Sequence, residues 1–316
     1  MALKCGIVGL PNVGKSTLFN CLSNAKAQSA NFPFCTIEPN IGVVNVPDPR
    51  INRLEELVKP ERVQMATVDI VDIAGLVKGA SKGEGLGNQF LGNIRECNAI
   101  IHVLRCFDND NIVHVDGNVN PIRDKETIDI ELQLKDLETV EKRLEKTKKA
   151  AKTGNKEAQV ETALLERIRT ALLEAKSART VTPKNNDEEE LMAGFQLITN
   201  KPVLYVCNVD ENSAVSGNKY VEQVKELVKD ENAEVIILSV GAEADITELE
   251  SFEERKMFLD ELGLDEPGVN RLIRSAYSLL NLQTYFTAGV KEVRAWTINI
   301  GATAPQAAGV IHTDFE

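Results

Sequence analysis

The stretch Gly9-Leu10-Pro11-Asn12-Val13-Gly14-Lys15-Ser16 constrains this chain more than any other. It fits G-x-x-x-x-G-K-[ST], and it joins a short apolar run over residues 4–10 to a segment of helical periodicity over 16–22. The spacing has a chemical reason. Glycines let the backbone curl until successive N–H groups face phosphate oxygens, the lysine brings a point charge to the outer phosphates, and the serine hydroxyl ligates Mg²⁺. The following helix turns its positive end toward the same anion. The candidate phosphate contacts are therefore Asn12, Val13, Gly14, Lys15, Ser16 and Thr17, with Ser16 also a metal ligand and Lys15 also a catalytic cation. Such a loop works only where a strand feeds a helix, so an α/β sheet is expected around it.

The remaining apolar runs agree. Residues 65–73, 99–107, 202–207 and 234–238 read as strands, and nearly continuous apolar runs of this length suit parallel strands covered on both faces. A doubly wound, mostly parallel α/β sheet follows. From 108 to 201 no strand pattern appears. Ile130, Leu134, Leu137, Val140 and Leu144 recur at helical spacing, as do Leu164, Ile168, Leu172 and Ala175 beyond Gly154-Asn155. Two long helices joined at that turn make an antiparallel hairpin inserted into the α/β unit. A chain of 316 residues has room for such additions at roughly 150 residues per domain. The expected division is 1–125 with 199–278 for nucleotide binding, 126–198 for the hairpin and 279–316 for a further small unit. Asp187-Glu188-Glu189-Glu190 reads as an exposed loop.

Charge and cysteine usage narrow the function classes. No apolar run approaches the ~18 residues of a membrane helix, and no separate apolar stretch with a cleavage site opens the chain. The six cysteines are scattered, with no C-x-x-C pair, and read as reduced thiols of a cytoplasmic protein. A formal net charge of −12 argues against a surface that binds nucleic acid all over. The hairpin tip differs: over residues 142–156, Lys142, Arg143, Lys146, Lys148, Lys149, Lys152 and Lys156 face only Glu145. A cationic tip is what a phosphate backbone would need; a solvated helical face is the competing reading.

The partners of the phosphate loop come in the expected order. Asp69-Ile70-Val71-Asp72-Ile73-Ala74-Gly75 ends a strand with D-x-x-G, which places Asp72 to hold Mg²⁺ and the Gly75 N–H to reach the terminal phosphate. Thr36, between the two motifs, completes the metal shell. Gly79, Gly83, Gly85 and Gly87 make the following segment permissive. Two departures matter. GTP-binding proteins read guanine with Asn-Lys-x-Asp, but here the strand end reads Asn208-Val209-Asp210-Glu211. Glu211 is a methylene too long to hold the carboxylate in place, and Val209 replaces the lysine that covers the base. Guanine reading is weakened, and adenine becomes plausible. The second departure is Leu76, which stands where Ras-like proteins carry the glutamine that orients the attacking water.

Residues 9–17, 31–40, 72–80 and 208–211 together resemble the YchF subfamily of Obg-like ATPases, P-loop proteins with a hydrophobic residue in place of that glutamine. Asn31-Phe32-Pro33-Phe34-Cys35-Thr36-Ile37-Glu38-Pro39-Asn40 and Asp72-Ile73-Ala74-Gly75-Leu76-Val77-Lys78-Gly79-Ala80 carry the likeness most specifically. The resemblance implies preference for ATP over GTP, slow hydrolysis, and association with the ribosome, as its large subunit or whole. It also implies a C-terminal TGS domain of ubiquitin-like α+β type, a second RNA-binding candidate, whose first half residues 294–298 and 304–315 resemble.

Three functional readings follow: a Mg²⁺-dependent ATPase switch read by the ribosome, a regulatory module that keeps ATP as a conformational ligand with negligible turnover, and a conventional GTPase. Asn12 could ligate a potassium ion beside the phosphates, as the same position does in related cation-stimulated P-loop proteins, or hold the loop by local hydrogen bonds. For the missing water-orienting group the candidate is His114, in the Asp- and Asn-rich loop 108–124 at the carboxyl end of a parallel strand. A neutral imidazole could orient the water or accept its proton. The loop composition suggests mobility. His102 lies inside a strand and reads as a satisfied core histidine, and His312 belongs to the C-terminal segment.

Overall fold

The computed structural model describes residues 3–27, 41–73, 86–231 and 233–315, with the side chains of 24–27 and 86–89 left out. The strands are β1 (Lys4–Val8), β2 (Ile41–Asn45), β3 (Val63–Gln64), β4 (Thr67–Asp72), β5 (Ala99–Arg105), β6 (Val203–Asn208), β7 (Glu234–Leu238), β8 (Leu282–Ala288) and β9 (Val293–Asn299). Six of them form one sheet in the order β2-β4-β1-β5-β6-β7. All pairs in it are parallel except β2 with β4. β5 and β6 are buried along their whole length, as their largely apolar sequences require of strands with both faces covered. The carboxyl ends of β1, β4, β5, β6 and β7 therefore open on one side.

The helices are α1 (Lys15–Ala27), α2 (Pro49–Val58), α3 (Leu86–Glu96), α4 (Pro121–Lys152), α5 (Lys156–Leu173), α6 (Asn186–Gly194), α7 (Lys219–Val228), α8 (Val240–Glu248), α9 (Phe252–Leu262), α10 (Gly268–Leu279) and α11 (Ala304–Ile311). The helical hairpin is α4 and α5, joined through Thr153, Gly154 and Asn155. Asn120 and Asn155 cap their starts by accepting from the N–H groups of Arg123 and Ala158. α4 begins at Pro121 and runs without a break through 125–126.

Three details differ from the sequence reading. Ile130 and Leu134 are 48% and 40% exposed, and the inward row of α4 is instead Ile128, Leu132, Asp136, Val140 and Leu144. The physical reason is Asp136: its carboxylate accepts from the Ile198 N–H at 2.9 Å, the Thr199 N–H at 2.7 Å and the Thr199 hydroxyl at 2.7 Å. A row read from apolar residues alone steps over it. Ala175 lies past the end of α5 in the left-handed region, at φ 56°. Asp187 to Glu190 form the first turns of α6, not a loop, because Asn185 caps the helix and acidic groups suit its positive end. Within that turn Glu188 is buried and accepts from Arg167 at 3.0 Å and from the Lys184 N–H at 2.7 Å.

The hairpin has its own apolar core, with Val140, Leu144, Leu164, Ile168 and Leu172 packed against Met192, Phe195 and Leu197. Among the described residues the C-terminal strands have no separate core. Leu282, Val293 and Ala295 belong to the main core, and β9 lies between β8 and β3 in a three-stranded sheet. β3 pairs with β9 in parallel, Val63 opposite Val293 and Gln64 opposite Arg294. Among the described residues no helix is long and apolar enough to cross a membrane.

Candidate functional site

The phosphate loop leaves the end of β1, flanked by the ends of β4 and β5. Asn12 has a left-handed backbone, φ 61°, and Gly14 has φ 100°. A Cβ on Gly14 would stand 2.6 Å from Asn208 Nδ2, so the position has neither the conformation nor the space for a side chain. Lys15 is buried, and its ammonium donates to the Leu10 carbonyl at 2.7 Å across the curl of the loop. Burial pushes its pKa down to about 8, with the Asp72 carboxylate pulling the other way. Ser16 and Thr17 are exposed at the start of α1.

The two described metal-ligand candidates meet. The Ser16 hydroxyl donates to Asp72 Oδ2 at 3.1 Å. Asp72 Oδ1 is buried with no hydrogen-bond partner among the described residues, and an orphaned buried oxygen is costly unless something binds it. A hydroxyl and a carboxylate together form an all-oxygen set that suits Mg²⁺. Thr36, Gly75 and Leu76 lie outside the described residues.

At the base end, Asn208 is buried and joins two segments. Its Nδ2 donates to the Val13 carbonyl at 2.9 Å, and its Oδ1 accepts the Val240 N–H at 3.1 Å. The asparagine thus ties the phosphate loop to the start of α8. Val209 is only 2% exposed and packs in the main core. It does not line the opening as expected, because the backbone of residue 209 still pairs with β7 through the Leu238 carbonyl. Asp210 is taken up by Ser213, whose N–H and hydroxyl both bond it. Glu211 stands exposed on the single turn that follows.

The loop after β5 is less free than its Asp- and Asn-rich sequence suggested. The buried Arg105 guanidinium donates to the carbonyls of Phe107 at 3.2 Å, Asn109 at 3.0 Å and Ile112 at 2.9 Å. The Tyr220 hydroxyl donates to Asp108 at 2.9 Å, and Asn12 Nδ2 donates to the Val113 carbonyl at 3.1 Å. The Asn12 amide thus reaches a loop about a hundred residues away, a contact that neither the cation reading nor the reading of local hydrogen bonds foresaw. His114 is buried rather than projecting from a mobile loop: its Nε2 lies 2.9 Å from Asp124 Oδ2, the two side chains being 3% and 2% exposed, and its Nδ1 accepts the Asp116 N–H at 3.1 Å. His102 is in the core as expected, with its pKa pushed down to about 3 mainly by burial, but its Nε2 has no partner among the described residues.

Sequence reasoning missed Arg105, Asp124 and the Ser239–Val240 pair. A lone arginine ending an otherwise apolar strand was the available signal for Arg105. Ser239 caps α8 by accepting the Ala242 N–H, and a serine directly after an apolar strand could have flagged it. Nothing local marks Asp124.

Comparison with known proteins fits this geometry. A family profile described as 50S ribosome-binding GTPase matches residues 4–148, and a YchF-GTPase_C profile, described only as a protein of unknown function, matches 282–316. The "Ribosome-binding ATPase YchF" of Escherichia coli O157:H7 is 58% identical over all of this chain and 86% of its own length. That of Bacillus subtilis is 53% identical over the same shares. The chain belongs to the YchF family. The "YchF GTPase" structure from Schizosaccharomyces pombe superposes with a TM-score of 0.88 at 42% identity, covering 99% of this chain and 85% of that one. This YchF-family chain is thus a P-loop NTPase with a helical insertion and the YchF C-terminal region. The relatives' names disagree on the nucleotide, ATP for the bacterial proteins and GTP for the fungal one.

Proposed function

We propose that the chain is a nucleotide switch that binds ATP in preference to GTP, hydrolyses it slowly to ADP and phosphate, and is read by the ribosome. In this reading residues 1–125 and 199–278 bind nucleotide, 126–198 present the basic tip to ribosomal RNA, and 279–316 contribute part of a TGS domain. The observation that carries the nucleotide preference is the base end: Glu211 is exposed on a separate turn, and Asp210 is engaged with Ser213. No carboxylate there is fixed for the two hydrogen bonds that guanine offers. Fluorescence titration should give an ATP dissociation constant at least tenfold below that for GTP, about 1.4 kcal/mol. Equal affinities, or tighter GTP, would overturn the proposal. Glu211→Asp should recover part of the guanine binding.

Ser16, Thr36 and Asp72 would hold Mg²⁺, which when bound neutralises phosphate charge. Lys15 faces the outer phosphates, Gly75 offers its N–H to the terminal one, and His114 orients the attacking water once its ring is free. Asn12 is the proposed ligand of a potassium ion, since its amide nitrogen is spent on Val113 and leaves Oδ1 to face a cation. If turnover is the same in sodium as in potassium, the monovalent ion has no part in the mechanism.

A second reading, ATP held with negligible turnover, is favoured by the engagement of both His114 ring nitrogens. Phosphate release measured with and without ribosomes separates the two: release in neither condition supports the regulatory module.

A further inference from the structure

We propose that Asp124 is a positioning residue that parks His114, so that turnover requires the His114–Asp124 hydrogen bond to open. The proposal rests on reading His114 as the water-orienting group. The protonation pattern comes first. A backbone N–H can only donate, so His114 Nδ1, which receives the Asp116 N–H at 3.1 Å, is the bare ring nitrogen. The ring proton then sits on Nε2, 2.9 Å from Asp124 Oδ2. Neither nitrogen is left to meet a water. The carboxylate is equally committed, because its Oδ1 accepts from Arg123 Nη2 at 3.0 Å and Nε at 3.3 Å. Meanwhile the backbone beside His114 lies on the phosphate loop through Asn12 and the Val113 carbonyl. The residue is next to the nucleotide site while its ring is held inward by α4.

The placement of Asp124 gives the arrangement a use. It lies in the first turn of α4, where the helix end favours a carboxylate. The same helix runs 32 residues, roughly 48 Å at 1.5 Å per residue, to the basic tip. A displacement of the hairpin is thereby carried to the group that restrains His114.

Asp124→Asn tests this without leaving a cavity. Arg123 and the His114 Nε2–H both present donors, so the site needs an acceptor on each side. An amide supplies one acceptor and one donor, and in either orientation one of the two bonds is lost. Turnover scales with the fraction of molecules in which the ring is free, so the ribosome-free rate of Asp124→Asn should rise about tenfold or more, with the ATP KM and ADP affinity unchanged. The double variant with His114→Ala should fall to the rate of His114→Ala alone. In the parent protein, which has only three histidines, ¹⁵N NMR should show His114 with a bare Nδ1 and a protonated Nε2, and Asp124→Asn should average them. An unchanged or lower rate in Asp124→Asn, with His114→Ala inactive, overturns the parking role alone. A tautomer-averaged His114 in the parent does the same without relying on any variant. If His114→Ala turns over at the parent rate, the underlying reading of His114 fails and the parking role with it.

Discussion

Asn208→Ala is the perturbation whose size follows most directly from the structure. One amide serves two segments that are far apart in sequence: the Val13 carbonyl of the phosphate loop at 2.9 Å and the Val240 N–H at the start of α8 at 3.1 Å. Asn208 is buried, so truncation strands an acceptor and a donor away from water. Each unmet buried group costs about 1–3 kcal/mol, which puts the loss at about 2–6 kcal/mol. At roughly 2–4 °C per kcal/mol for a domain of a few hundred residues, Tm should fall by about 4–24 °C. Nucleotide affinity should fall too, because Val13 belongs to the loop that wraps the phosphates; if only about 1.4 kcal/mol of the clamp maintains the loop shape, binding weakens about tenfold. Calorimetry without nucleotide gives the first quantity and fluorescence titration with Mg·ADP the second. Gly14→Ala should resemble it, since the added Cβ would press on Asn208 Nδ2 at 2.6 Å in a backbone of φ 100°. A Tm within about 1 °C of the parent, together with affinity within twofold, would refute the clamp.

What could be read of the fold was whatever is written locally. β5 is seven consecutive buried residues, because a fully covered parallel strand needs nothing beyond its own apolar run, and the partly buried edge strand β7 spans residues 234–238 as its sequence suggested. The hairpin turn at Gly154-Asn155 was legible for the same reason: a glycine beside a helix-capping residue breaks two periodic segments. β3 was not. It is two residues long and exists only because Val63 and Gln64 pair with β9, some 230 positions on. The inward row of α4 was displaced by Asp136, whose partners on residues 198 and 199 come from beyond the hairpin. A polar group satisfied by distant backbone is indistinguishable in sequence from a polar group facing water.

The site divides along the same line. Gly14, Lys15, Ser16 and Asp72 were legible because phosphate and metal chemistry fixes their spacing within short motifs. The residues that tension the site act across long separations. Arg105 knots the following loop, and buried Glu243 on α8 accepts the Gly268 N–H at 2.6 Å to cap α10 from outside it. His114 shows both sides of the boundary. Its position beyond the end of a parallel strand was predictable, whereas its engagement depends on Asp116 in the loop and on Arg123 and Asp124 in the first turn of α4, charged residues that nothing local in the sequence sets apart.

Two further outcomes are expected. Of the seven basic residues near the hairpin tip, Lys142, Arg143 and Lys148 pair with Glu138, Glu161 and Glu166, so reversing Lys146, Lys149 and Lys152 to Glu should weaken ribosome co-sedimentation and lower its salt slope by about 2–3. Nucleotide affinity should not change, and unaltered co-sedimentation would make the tip a solvated face. The other outcome concerns Lys15 and pH. In the free protein burial lowers its pKa from 10.5 to about 8, so between those values the unfolded chain binds more protons than the native one. Stability from this group therefore rises with pH through that window and is lost as pH falls through about 8. Binding of a polyphosphate has the opposite sign, because it needs the ammonium: a nucleotide that restores the ordinary pKa must take up a proton whenever Lys15 is neutral. Below about pH 7 the Mg·ADP dissociation constant should be flat, and above 8 it should climb toward one decade per pH unit. Titration calorimetry at pH 9 in two buffers of different ionisation enthalpy should report uptake approaching one proton. Flat affinity from pH 8 to 9.5 with no uptake would mean that Lys15 stays charged in its buried position, and that its bond to the Leu10 carbonyl, rather than loss of hydration, sets its titration.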